Sequence, residues 1–131
     1  MRIDEREKAL EEHESNIRRC IEYGVVENQR NIAFNISQAS IELFSIYLIN
    51  KNLITPSVDF DHRIFKKTSE VSAKIPFDFP NKNSILDLMR KIEEKRLLLC
   101  YGKRKSEEEV KDAIKFWNKI KLLLGEKNEE K

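Results

Sequence analysis

Apolar residues recur along this chain at three- and four-residue spacing, the period of amphipathic helices. Ile3, Leu10, Ile17 and Gly24 fall seven apart with Ile21 beside them, which predicts a first helix from Asp4 to about Gly24. The stripe is thin and flanked by Arg6, His13 and Glu14, so its first two turns are expected in solvent and its second half packed. Gly24 marks a bend, and Glu27 or Asn28 opens a second helix running to about Asn50.

The second helix departs from its neighbours because Glu42 is its only residue ionised at neutral pH between Asn31 and Asn50. Ile32, Ile36, Ala39, Leu43, Ile46 and Tyr47 form one face, while Phe34, Ile41, Leu48 and Ile49 spill onto others. A helix apolar on more than one side is the centre of a bundle or the face that meets a second copy. Thr55-Pro56 and Asp59 then mark a loop, and Asp61 is a suitable N-cap for a short helix from His62 to about Lys74. Pro76 and Pro80 bracket Phe77 and Phe79, two aromatics expected to cover the core. A fourth helix is predicted from Asn81 or Ser84 to Tyr101, with Gly102 as its left-handed terminator. Ser106 to Glu109 match a capping box ahead of a last helix lined by Val110, Ala113, Ile114, Trp117, Ile120 and Leu124. Residues 1–125 are thus expected to form one all-α, up-and-down bundle of four to five antiparallel helices, and residues 126–131 a charged, frayed tail.

Composition agrees with that reading. Of 131 residues, 40% are hydrophobic and 37% charged, with 25 Lys+Arg against 23 Asp+Glu, so the net charge of +2 does not by itself announce a nucleic-acid partner. Three Gly and three Pro argue against a turn-rich sandwich and against glycine-built phosphate loops. Apolar runs such as Ile46 to Ile49 and Leu97 to Cys100 fall far short of the ~18–20 residues of a membrane span. The charged start from Arg2 onward is not a signal peptide, and a cytoplasmic protein is expected. Cys20 and Cys100 lack the short spacing of a zinc motif. They are either two buried thiols or a disulfide between two helix ends of the kind hyperthermophiles use, and abundant Lys, Glu and Ile with only two Gln fit such a source.

One charge breaks the pattern of the fourth helix. On a wheel, Ile85, Leu88, Met89, Ile92, Leu99 and Cys100 share an apolar arc with Arg96 in its middle, whereas Lys91, Glu94 and Lys95 lie away from its centre. A guanidinium stays charged at accessible pH and needs a carboxylate, carbonyls or a bound phosphate when buried. Arg96 is therefore either a structural residue paired with Glu42 or Glu14, or an anion-binding residue beside Tyr101 and the basic turn Lys103, Arg104 and Lys105.

The order of these segments is informative. Two long helices, a short one opening Asp61-His62, a helix ending Arg96-Leu-Leu-Leu-Cys-Tyr101-Gly102, and Ser106-Glu-Glu-Glu-Val into a final amphipathic helix together resemble the small prokaryotic HEPN domains, from about Arg6 to Leu124. The resemblance implies a homodimer and, in many toxin-like members, metal-independent RNA cleavage by an Arg followed four to six residues later by a His. Arg96 matches that Arg, but the His window holds Tyr101, Gly102 and Lys103. A phenol, with a pKa near ~10, shuttles protons poorly at neutral pH. The departure points to the non-toxic members, which pair with a nucleotidyltransferase-type protein or bind RNA or a nucleotide without catalysis. Arg96 and Tyr101 are then the remnants of the site, Lys103, Arg104 and Lys105 its support, and the second helix its dimer face.

His13 is read as a surface residue and His62 as part of a helix start. No Ser-His-Asp order, paired-carboxylate motif or metal cluster is present in the sequence, and no cofactor is implied. The two rival readings are a ribonuclease with a diverged proton donor and a non-catalytic protein adaptor using the second helix and the Phe77/Phe79 loop.

Overall fold

The computed structural model describes residues 1–125, so the tail expected at 126–131 lies outside the described residues. The described chain is all-helical: α1 (Ile3–Tyr23), α2 (Gln29–Asn50), a 3₁₀ turn (His62–Lys66), α3 (Thr68–Lys74), α4 (Lys82–Cys100) and α5 (Glu107–Leu124). Helix α2 is the centre. It packs against α1, α4 and α5, while α1 touches no other helix and α3 rests on the 3₁₀ turn. Contacts between Arg6 and Glu42 and between His13 and Asn35 set α1 antiparallel to α2. Those of Arg30 with Cys100 and of Ser37 with Arg96 do the same for α2 and α4.

Burial explains why α2 lost its charges. Ile32, Ile36, Ala39, Phe44 and Leu48 are essentially inaccessible, and each large aliphatic or aromatic side chain among them contributes roughly 1.5–3 kcal/mol by leaving water. Small polar residues fill the closest approaches, with Ser37, Ser40 and Ser45 all buried. An 18-residue stretch of the 22-residue α2 has a mean hydropathy of 1.4, long and apolar enough to cross a membrane, yet 72% of that stretch is buried inside the bundle, as in a core helix. Phe34 is its one strongly exposed large apolar side chain.

Four rings tie the central loop region to α2. Phe44 lies 5.7 Å from Phe60, 6.0 Å from Phe65 and 5.8 Å from Phe79, all buried. Phe79 thus covers the core as expected, with half-buried Phe77 against it at 6.2 Å, so this pair is not an open adaptor surface.

Several local expectations are corrected. The helix expected from His62 to Lys74 is broken at Lys67, whose backbone is extended (φ −116°, ψ 121°). Asp61 does cap its start, accepting from the Arg63 N–H at 2.9 Å. The tight 3₁₀ turn lets consecutive Ile64 and Phe65 both enter the core, and the residues of α3, exposed except for half-buried Val71, gain nothing by continuing the same axis. The capping box does not close. Ser106 offers only its carbonyl to Glu109 N–H, while the Glu109 carboxylate takes Lys95 Nζ at 2.5 Å. Lys95 is accordingly not a free surface residue: its side chain is 13% exposed and also reaches Asp112 at 3.6 Å. Cys20 and Cys100 are half-buried free thiols, which removes the disulfide reading.

The largest correction concerns Arg6, expected in solvent and found 2% exposed. Its guanidinium bonds Glu42 at 3.1 Å, Asp59 at 2.6 Å and the carbonyl of Val58 at 2.5 Å. Arg6 therefore clamps α1 to α2 and to the loop before the 3₁₀ turn. It also takes Glu42, one of the two carboxylates considered for Arg96.

Candidate functional site

The antiparallel seam of α2 and α4 places the sequence-predicted residues. Arg96 is half-buried, and its Nη1 donates to Ser37 Oγ at 3.0 Å and to Gln38 Oε1 at 2.8 Å. Its guanidinium lies over the Phe34 ring, 4.9 Å from the centroid. These partners are neutral. Neither Glu42 nor Glu14 pairs with Arg96, and the charge is not cancelled by a carboxylate among the described residues.

One turn toward the α4 C-terminus, Arg30 of α2 donates to the carbonyls of Cys100 at 3.1 Å and Gly102 at 2.9 Å. It supplies the donors that the last carbonyls of a helix lack. Gly102 takes φ +81°, the left-handed conformation expected of it. Buried Gln29 then holds the basic turn from both sides: its Oε1 accepts from Lys105 N–H at 2.8 Å and its Nε2 donates to the Lys105 carbonyl at 3.1 Å. Arg104 reaches the Val26 carbonyl at 3.1 Å, and Lys105 Nζ the Lys103 carbonyl at 2.8 Å.

Five cations, Arg30, Arg96, Lys103, Arg104 and Lys105, thus cluster at one end of the bundle, and none makes an ion pair among the described residues. Elsewhere Arg6, Arg63, Arg90, Lys91, Lys95 and Lys111 hold carboxylates, while others such as Arg19 and Lys82 have only neutral partners, so what marks this end is the gathering of its cations beside open rings. Three exposed apolar side chains accompany the cations: Phe34 (41% exposed), Leu97 (38%) and Tyr101 (61%). Tyr101 sits in extended backbone just past α4, and no hydrogen bond or ring contact joins it to Arg96. Burial pushes the thiol of neighbouring Cys100 up, against the weaker opposing pull of Arg96 and Arg30.

Both histidines have closer engagements than the sequence indicated. His62 Nδ1 lies 2.8 Å from Glu93 Oε1, with Glu93 2% exposed and its second carboxylate oxygen without a partner. His62, Glu93 and Ser37 line one narrow crevice, and Ser37 also bonds Arg96, so it stands between this pair and Arg96. His13 is half-buried, bonded to Asn35 at 2.8 Å and edge-on to Phe34 at 6.3 Å. On the wheel Glu93 falls at the border of the apolar arc, beside Cys100, and Glu94 opposite it, but the partner that holds Glu93 comes from a segment about thirty residues away. Among the described residues, no three His, Cys, Asp or Glu side chains group closely enough to hold a metal ion.

No protein-family model matches the chain, and no curated protein or solved structure matches it either. The chemistry of this end of the bundle is therefore read from its own residues. It offers fixed guanidinium groups without counter-charges, beside open aromatic surface.

Proposed function

We propose that this chain is a HEPN-like helical module, homodimeric and non-catalytic, that binds RNA or a nucleotide through the α2/α4 end. The observation that carries the reading is Arg96, held by a hydroxyl, an amide oxygen and an aromatic face with no carboxylate. A planar guanidinium fixed this way is suited to a phosphate oxygen, and the four other uncancelled cations extend the same potential. Exposed Phe34 and Tyr101 favour a single strand over a duplex, because unpaired bases can stack on rings. Cations of one sign with open rings favour this ligand over a neutral protein surface. A nucleotidyltransferase-type protein partner and a cytoplasmic setting belong to the same proposal through the family resemblance.

The dimer rests on the family resemblance: α2 is largely covered within one copy, and its one strongly exposed large apolar side chain, Phe34, is assigned above to base stacking. Light scattering on micromolar protein is expected to return a dimer mass; a monomer mass contradicts the dimer.

The test of function is direct. Fluorescence anisotropy with a single-stranded RNA is expected to show binding that Arg96→Gln weakens by roughly tenfold, about 1.4 kcal/mol. The same RNA is expected to survive incubation with the protein in EDTA. Cleavage abolished by Arg96→Gln would replace this reading with the ribonuclease, and unchanged binding would remove Arg96 from the site.

A further inference from the structure

Helices α1 and α4 do not touch, yet His13 of α1 and Arg96 of α4 both contact Phe34. The His13 and Phe34 rings form a T-shaped pair, their centroids 6.3 Å apart and their planes at 75°, and the Arg96 guanidinium lies 4.9 Å from the Phe34 centroid. Phe34 is 41% exposed, so the ring that the two groups share opens to solvent.

The hydrogen bonds around His13 fix its chemistry. Asn35 Nδ2 donates to the Asn31 carbonyl at 2.8 Å, and a carbonyl can only accept, which sets the orientation of the Asn35 amide. Asn35 Oδ1 is then the acceptor facing His13 Nδ1 at 2.8 Å and Asn16 Nδ2 at 3.4 Å. The neutral imidazole must carry its proton on Nδ1 and a lone pair on Nε2, and Nε2 has no partner among the described residues. Asn35 is 6% exposed, so this orientation is held from inside the bundle.

We propose that His13 is a second anion-binding residue of the Arg96 site, its Nε2 taking a phosphodiester oxygen of single-stranded RNA when protonated. The inference rests on the RNA-binding reading above. Neutral Nε2 presents a lone pair to a phosphate oxygen, whereas the imidazolium presents a donor and a charge. The ligand binds the protonated form better, so affinity rises as pH falls through the imidazole range, by at most about tenfold per pH unit for one proton.

The charged surroundings permit this. On α1, Glu12 and Glu14 flank His13 in sequence without pairing to it. On α2, Arg30 lies one turn from Phe34, and the only carboxylate, Glu42, is held by Arg6. On α4, Arg96 shares Phe34, and Glu93 is held by His62. Among the described residues no carboxylate is paired with His13.

The experiment uses an oligouridylate with hydroxyl ends and a rhodamine label, whose phosphodiesters do not titrate between about pH 5.5 and 7.5. At constant ionic strength, wild-type affinity is expected to rise several-fold, by no more than about tenfold, across that interval, and His13→Gln to flatten the dependence. Arg96→Gln is expected to weaken binding at both ends. Wild-type affinity that ignores pH, or a His13→Gln variant that keeps the wild-type slope, overturns the assignment of His13. Unchanged binding in Arg96→Gln overturns the site beneath it. Nitrogen NMR of the imidazoles keeps the test independent of variants: the Nδ1–H tautomer is expected for His13, and added oligouridylate is expected to raise its titration midpoint. A midpoint that does not move contradicts the proposal.

Discussion

Two arginines touch opposite halves of α2 and meet opposite fates. Arg6, at the Glu42 end, is 2% exposed and its Nη atoms bond two carboxylates and carbonyls of the loop at 56–58, its Nε alone being left without a partner. Arg96, at the Ser37 end, is half-buried beside an exposed ring and has only neutral partners. A buried charge with its counter-charge is a piece of architecture, and removing one member strands the other. A half-buried charge without one costs less to keep, because water reaches it, and it retains the capacity to take an anion. The α2 sequence sets the difference: its one carboxylate lies at the Arg6 end.

The largest effect is expected where the charges cancel. Arg6→Met leaves Glu42, 8% exposed, without a partner and should cost about 3–5 kcal/mol in urea unfolding. Adding Glu42→Leu should return much of that loss, and an additive double variant would show that the two residues do not act as a pair. His62→Leu removes the only partner of the Glu93 carboxylate. A loss of about 2 kcal/mol is expected, smaller than at Arg6 because the His62 side chain is 24% exposed. Arg96→Gln is expected to change stability by less than about 1 kcal/mol, since no carboxylate depends on it. A loss as large as that of Arg6→Met would make Arg96 structural and dissolve the contrast.

The smallest effect lies at Asp61. Arg63, through its side chain and its backbone N–H, holds this carboxyl well below the usual carboxylate range. A pKa lower in the folded than in the unfolded chain stabilises above the unfolded value, and the contribution is lost as pH falls through the carboxylate range. Both partners are exposed, so Asp61→Ala is expected to cost under about 1 kcal/mol at neutral pH. The difference between the variant and the wild type should vanish at the acid end; a difference that grew with acid would reverse the sign assigned to Asp61.

Helix order and the central role of α2 were legible because they rest on local periodicity and on a run of twenty positions with one charge. Arg96 was legible for the same reason, as a charge inside an apolar arc. Arg6 was not, because it sits among Glu, Lys and Arg neighbours on a thinly apolar helix and its partners Val58 and Asp59 come from a loop about fifty residues away. Glu93 and His13 were hidden likewise, since His62 and Asn35 reach them through tertiary packing. The capping box failed for a related reason: its pattern was present, and a cation on another helix competed for the glutamate. Local signals located the elements and the odd charge, while the pairing of charges between helices needed the fold.

The contrast between the two arginines is tested most directly by the salt dependence of RNA affinity in the wild type and in Arg96→Gln. If Arg96 holds a phosphate, the variant is expected to bind roughly tenfold more weakly at low salt, with a log–log slope shallower by about 0.7, the loss of one contact to a single strand. Superimposable lines for the two proteins would contradict it.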